Sequence, residues 1–115
     1  MRPPDGVLKL NVDGTFMPQS GRAGAGMILR RCDGSTVFSA CRNLVLCSSA
    51  LEAELQACLE GIQFALDICQ EPFVVESDSA ELVQMIKSKE RDSSTLGHLV
   101  EDLRMLFLSG RIVSC

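Results

Sequence analysis

The chain has 115 residues, of which 46% are hydrophobic and 23% charged, the make-up of one compact globular unit built on a single core. Leu, Val, Ile and Phe are too plentiful for a disordered chain, and the net charge of −4 argues against a broad basic nucleic-acid footprint. Every apolar run is broken before about 18 residues, which excludes a membrane-spanning helix, and Met1–Gly6 lacks the apolar stretch of a secretory leader, so an intracellular, reducing location (cytoplasm or nucleus) is expected.

Residues 1–6 read as a tail and 7–115 as one domain. Val7–Asp13 alternates, with Leu8, Leu10 and Val12 on one face and Lys9, Asn11 and Asp13 on the other, which predicts a half-buried strand. Asp13-Gly14 is expected to end it, and Thr15–Ala23, with Pro18, Ser20 and Gly21, reads as a loop. Gly21–Gly26 has the spacing G-x-x-G-x-G and precedes a strand, so it does not fit a nucleotide-binding loop. Gly24–Arg31 and Thr36–Leu46 are β-compatible and flank the Asp33-Gly34 turn, completing a three-stranded antiparallel meander.

Helical periodicity then takes over. Leu51, Leu55, Cys58, Leu59, Ile62, Leu66 and Cys69 recur at steps of three and four on one stripe. Ser49 with Glu52 fits a capping box at the start of this helix, and Glu71-Pro72 stops it. Phe73–Glu76 predicts a short buried strand. A second helix from Ser79 carries Leu82, Val83 and Ile86 inward, and a third runs from about Ser94 to Leu108. Gly110 ends that helix, and Arg111–Val113 is strand-like. The order β-β-β-α-β-α-α-β predicts a mixed sheet with helices packed on its faces.

The six cysteines include no C-x-x-C pair, and His98 is the only histidine, so zinc lacks both spacing and ligands. Cys58 and Cys69 fall on the apolar stripe of the first helix, where a thiol packs as a small hydrophobe. The carboxylates are more informative. Asp13 closes the first strand, Asp78 follows the fourth, and Glu54 lies in the first turns of the long helix, at the element ends where open sheets carry sites. Acids gathered without basic partners repel, and a hard divalent cation relieves that repulsion best. Structural alternatives stand beside this reading: Asp13 as the first residue of an Asp-Gly turn, and Asp78 with Glu81 as a helix cap. The helical wheel does not choose between Glu52 and Glu54, although capping accounts for Glu52. Glu60 and Glu76 are weaker candidates.

Lys9-Leu10-Asn11-Val12-Asp13-Gly14, Ala53-Glu54-Leu55-Gln56-Ala57 and Val75-Glu76-Ser77-Asp78-Ser79 resemble three successive acidic motifs of type 1 ribonuclease H domains. The resemblance is strongest to the retroelement-derived reverse-transcriptase-like domains abundant in plants, and it covers nearly the whole chain. It implies an α/β, ribonuclease H-like fold: a mixed five-stranded sheet of a meander plus parallel strands, with the family's last helix missing. It further implies Mg2+ dependence, with Mn2+ as a substitute, and hydrolysis of the RNA strand of RNA–DNA hybrids. Asp13, Glu54 and Asp78 would be the catalytic metal ligands. The family's fourth carboxylate follows the last strand, and the chain stops at Cys115 before it, which implies weakened activity. Ser48 and Ser49 stand where family asparagines help bind the RNA strand, and Lys87, Lys89 and Arg91 form a basic cluster suited to a phosphate backbone. The alternative is a noncatalytic domain of the same fold that binds nucleic acid or protein. A monomer is expected, with apolar surface left by the missing helix favouring self-association.

Overall fold

A computed structural model describes residues 6–44, 46–87, 96–107 and 112–114. Three strands open it, β1 (Leu8–Met17), β2 (Arg22–Arg30) and β3 (Thr36–Leu44), followed by helix α1 (Ala50–Ile68) and strand β4 (Phe73–Ser77). Helices α2 (Ala80–Lys87) and α3 (Gly97–Phe107) and strand β5 (Ile112–Ser114) complete the order. The sheet runs β3-β2-β1-β4-β5. The meander is antiparallel, while β4 joins β1, and β5 joins β4, in parallel.

β1 is longer than its alternation suggests. It continues through Asp13-Gly14 to Met17, pairing Gly14 with Ala25, Thr15 with Gly24 and Met17 with Arg22. The expected loop over Thr15–Ala23 therefore shrinks to a turn in which Ser20 and Gly21 donate backbone N–H bonds to Met17 O. Beyond Asp13 the strand leaves the core, so the apolar alternation fades while the backbone ladder to β2 persists. The Asp33-Gly34 turn forms as expected, with the Ser35 N–H donating to Asp33 Oδ1 at 2.8 Å.

Strand alternation sends Leu8, Leu10, Val12, Ala25, Met27, Leu29, Phe73 and Val75 into one core against α1. No polar or charged residue among those described is buried. The buried side of α1 is wider than the expected stripe: Ala53, Ala57, Gly61 and Ala65, four apart, are buried alongside Leu55, Cys58, Leu59 and Ile62, whereas Leu51 and Leu66 are only half-buried. This row of small residues lets the helix lie close to the sheet. An added Cβ at Gly61 would stand 2.7 Å from Val12 Cγ1, and one at Gly14 would stand 2.7 Å from Ala53 O. Gly14 is thus a contact glycine in mid-strand, and the Asp-Gly turn expected at Asp13 does not form.

Both caps are supplied by serines. Ser49 Oγ accepts from the Glu52 N–H at 3.1 Å, and Glu52 Oε1 in turn accepts from the Ser48 N–H at 2.6 Å. Ser79 Oγ accepts from the Leu82 N–H at 3.1 Å at the start of α2. Arg104 of α3 donates to Met85 O at 2.7 Å near the end of α2, and the three helices contact one another. Among the described residues, no helix is long and apolar enough to cross a membrane.

Gly14→Ala is expected to lower the unfolding free energy by about 1–3 kcal/mol through overpacking against the α1 backbone. Helix propensity alone would favour Gly61→Ala by about 1 kcal/mol, so a net loss there isolates the clash with Val12. Gly26→Ala, whose added Cβ would meet only Asp13 O at 4.0 Å, should change stability by less than about 0.5 kcal/mol. Urea denaturation of the three variants checks this order.

Candidate functional site

The central strand faces two environments. Leu8, Leu10 and Val12 point into the core, so Lys9, Asn11 and Asp13 occupy the opposite face. In β4 the same parity holds: Phe73 and Val75 are buried, and Glu76 is half-buried. Asp78 follows the end of β4 and is exposed, as is Asp13. The last parallel rung joins Val12 to Ser77, so each acid comes one residue after that rung, at neighbouring positions on two adjacent strands.

Glu54 reaches the same end of the sheet from α1. Because the helix seats on Gly14, the Gly14 N–H donates to Glu54 Oε1 at 3.2 Å. Burial raises the proton affinity of the Glu54 carboxyl, the Gly14 N–H opposes that shift, and the negative charges of Asp13 and Asp78 raise it further. Glu54 thereby stands within electrostatic reach of both Asp13 and Asp78. The structural alternatives resolve differently: Ser79 caps α2 in place of Asp78, and capping occupies Glu52, whereas Glu54 accepts from Gly14. Among the described residues, no three His, Cys, Asp or Glu side chains already converge as a metal-holding group. The donors nonetheless have the chemistry of a hard cation site, and Mg2+ typically takes one or two carboxylates and completes its shell with water and substrate phosphate.

A groove of about 560 Å3 runs along the face opposite α1, bounded by Asn11, Asp13, Ser39, Cys41, Glu76 and Asp78. A second, of about 440 Å3, shares Asp13, Gly26 and Cys41 and extends to Thr15 and Asn43. Asp13, Gly26 and Cys41 are successive cross-strand partners, so a bare glycine separates the aspartate from the thiol. Arg42, which borders the second groove, is tied to α1: it pairs with Glu60 at 2.8 Å and lies 5.3 Å from the centroid of the Phe64 ring.

Other expected contact residues are placed unevenly. Ser48 is exposed at the start of α1, and the Ser49 hydroxyl caps the helix. Lys89 and Arg91 lie outside the described residues, as does the side chain of Lys87. His98 is exposed on α3. The thiol of Cys47, just ahead of α1, has its pKa raised by burial and by the charge of Glu52, away from nucleophile chemistry.

Motif spacing does not single out Asn11. Its amide donates to Glu76 Oε2 at 3.1 Å and accepts from Arg30 Nη1 at 3.4 Å, while Lys9 Nζ stands 2.8 Å from the same Glu76 oxygen. The Lys9 hydrogen bond, outweighing a modest burial cost, holds the Glu76 carboxyl below its ordinary range, with help from Asn11. Strand parity is the available signal, since Asn11 and Glu76 each precede a site aspartate by two positions and therefore share its face.

Residues 11–114 match the family model described as reverse transcriptase-like. An Arabidopsis thaliana protein provisionally named as a ribonuclease H protein is 35% identical over 95 residues, covering 83% of this chain and 15% of that protein. The chain thus spans a small part of that relative. In three dimensions, LC11 RNase H1, isolated from compost, superposes with a TM-score of 0.81 at 15% identity, covering 96% of this chain and 83% of that one. The same enzyme in complex with an RNA/DNA hybrid gives a TM-score of 0.64 at 16% identity, covering 94% and 83%. The five-stranded order, the likeness to ribonuclease H folds and the match over nearly its whole length establish that this chain belongs to the reverse transcriptase-like family of ribonuclease H-like domains.

Proposed function

We propose that this chain is a metal-dependent endoribonuclease that hydrolyses the RNA strand of RNA–DNA hybrids at Asp13, Glu54 and Asp78. The observation that carries the reading is that Glu54 is held by the Gly14 N–H and feels the charge of both Asp13, within β1, and Asp78, just past the end of β4. The hybrid bound by LC11 RNase H1 supports the substrate class. A divalent cation held there by Asp13, Glu54 and Asp78 would supply charge stabilisation at the reacting phosphate and would make water a better nucleophile. The chain's own residues do the rest. Glu54 would offer its second oxygen to the cation while the Gly14 N–H holds the first. Asp13 would offer its carboxylate from within β1 and Asp78 from just past the end of β4, and the groove along Asn11, Ser39 and Glu76 leaves the face open for substrate. Ser48 and Ser49 lie at the helix start, where a hydroxyl suits an RNA 2′-OH or phosphate, and Lys87, Lys89 and Arg91, close in sequence, would supply positive charge for the phosphate backbone.

One observation favours a second reading, a noncatalytic hybrid-binding domain: among the described residues the acids do not already converge as a metal-holding group. The same assay separates the two. Cleavage of an RNA–DNA hybrid is expected with Mg2+ and with Mn2+, and Asp78→Asn should reduce it by at least the roughly 10–100-fold that follows removal of a metal site's supporting partner. Hybrid binding without metal-dependent cleavage by the folded chain selects the second reading.

The raised proton affinity of Glu54 sets a pH dependence. Its contribution to stability is fully present below the ordinary glutamate pKa and is lost as pH rises through the higher folded value, because the ionised form is the disfavoured one. Glu54→Gln is expected to match the parent in metal-free stability at acidic pH and to exceed it at neutral pH, while gaining less in Tm from added Mg2+. Thermal unfolding at both pH values checks the sign. Replacing Lys87, Lys89 and Arg91 by Ala should flatten the dependence of hybrid affinity on salt by about 0.9 in the log–log slope for each phosphate that is no longer neutralised. Titration at several ionic strengths measures this slope.

A further inference from the structure

The side chains that lace β1 to its neighbours immediately behind the carboxylates are unexplained by core packing, because they lie on the face opposite α1. Glu76 Oε2 accepts from Asn11 Nδ2 at 3.1 Å and pairs with Lys9 Nζ at 2.8 Å, while Asn11 Oδ1 accepts from Arg30 Nη1 at 3.4 Å. One amide therefore joins β2, β1 and β4. Its two bonds also define its orientation, since the NH2 end meets a carboxylate and the oxygen meets a guanidinium.

The location gives the bridge its meaning. Asn11 and Glu76 are register partners, and the parallel ladder ends one rung later at Val12 and Ser77. Beyond that rung β1 stays paired with β2, whereas the chain after Ser77 turns toward α2. Asp78 thus hangs just past the last rung, with no further β1–β4 pairing to hold it beside Asp13. The Asn11–Glu76 bond is the side-chain tie immediately before that point, and both residues share the groove with the two aspartates. Resting on the metal-site reading above, we propose that Asn11 and Glu76 are positioning residues, which hold the strand end carrying Asp78 at a set separation from Asp13. Lys9 neutralises the Glu76 carboxylate, so the brace adds no net negative charge to the carboxylate cluster. Glu76 acts through the strand, its Oε2 committed to an ammonium and an amide.

Partly exposed ion pairs contribute little to stability, so the brace should register at the site more than in the melting temperature. Calorimetric titration of the full chain with Mn2+ is the primary measurement. Glu76→Ala and Asn11→Ala are each expected to weaken Mn2+ binding roughly tenfold, the usual effect of removing a partner that orients a metal ligand. Glu76→Gln keeps an acceptor for Asn11 and should recover most of that loss. In hybrid cleavage the alanine variants should lower kcat with KM unchanged, and the double variant should lose no more than either single, because both remove the same tie. If Glu76→Ala does not fold, Glu76→Gln with Asn11→Ser carries the same comparison. Mn2+ affinity in Glu76→Ala within twofold of the parent, or losses that multiply in the double variant, overturns the positioning role while leaving the metal site standing. A parent chain that binds no Mn2+ overturns the metal-site reading and this inference with it.

Discussion

The close seating of α1 on β1 is the constraint on which the site depends. At Gly14 and Gly61 an added methyl group would stand 2.7 Å from the facing element, far inside van der Waals contact, so the helix and the strand approach as nearly as their backbones allow. The small residues Ala53, Ala57, Gly61 and Ala65 run along the same side of the helix. A bulkier row would push α1 outward and take Glu54 away from the Gly14 N–H. The hydrogen bond that orients the Glu54 carboxylate therefore follows directly from the packing of the core.

A division of labour among polar residues follows. Helix N-termini need acceptors for their orphan N–H groups, and acids near them are easily consumed in that role. Here Ser49 and Ser79 take the caps, and Glu52 closes back onto the Ser48 N–H. Glu54 and Asp78 are left free of capping, and the proton affinity of Glu54 is raised chiefly by burial and further by the charges of Asp13 and Asp78. Beside these acids, the Lys9–Glu76–Asn11–Arg30 lattice lies where the parallel ladder of the two inner strands runs out.

Much of this is legible in the sequence because it is local. The alternation of Leu8, Leu10 and Val12 places Asp13 on the open face, the three-and-four spacing after Ser49 locates α1, and Pro72 marks its end. The three acidic motifs point to the family before any contact is known. The length of β1 is not legible, because Thr15–Met17 pair with β2 outside the core, where no apolar period reports the ladder. Gly14 reads as a turn residue, since a sequence does not distinguish a glycine that frees the backbone from one that makes room for a neighbour.

By itself, then, the sequence determined the order of the elements and the face each strand buries, because periodicity and capping act over a few residues, and its three acidic motifs pointed to the family. Only the tertiary structure decided that Ser79 rather than Asp78 caps α2, that Gly14 receives a helix, and that Asn11 of β1 meets Glu76, sixty-five residues away. These outcomes depend on parallel register and helix-to-sheet distance, and both are set by how the whole core closes rather than by any single stretch of chain.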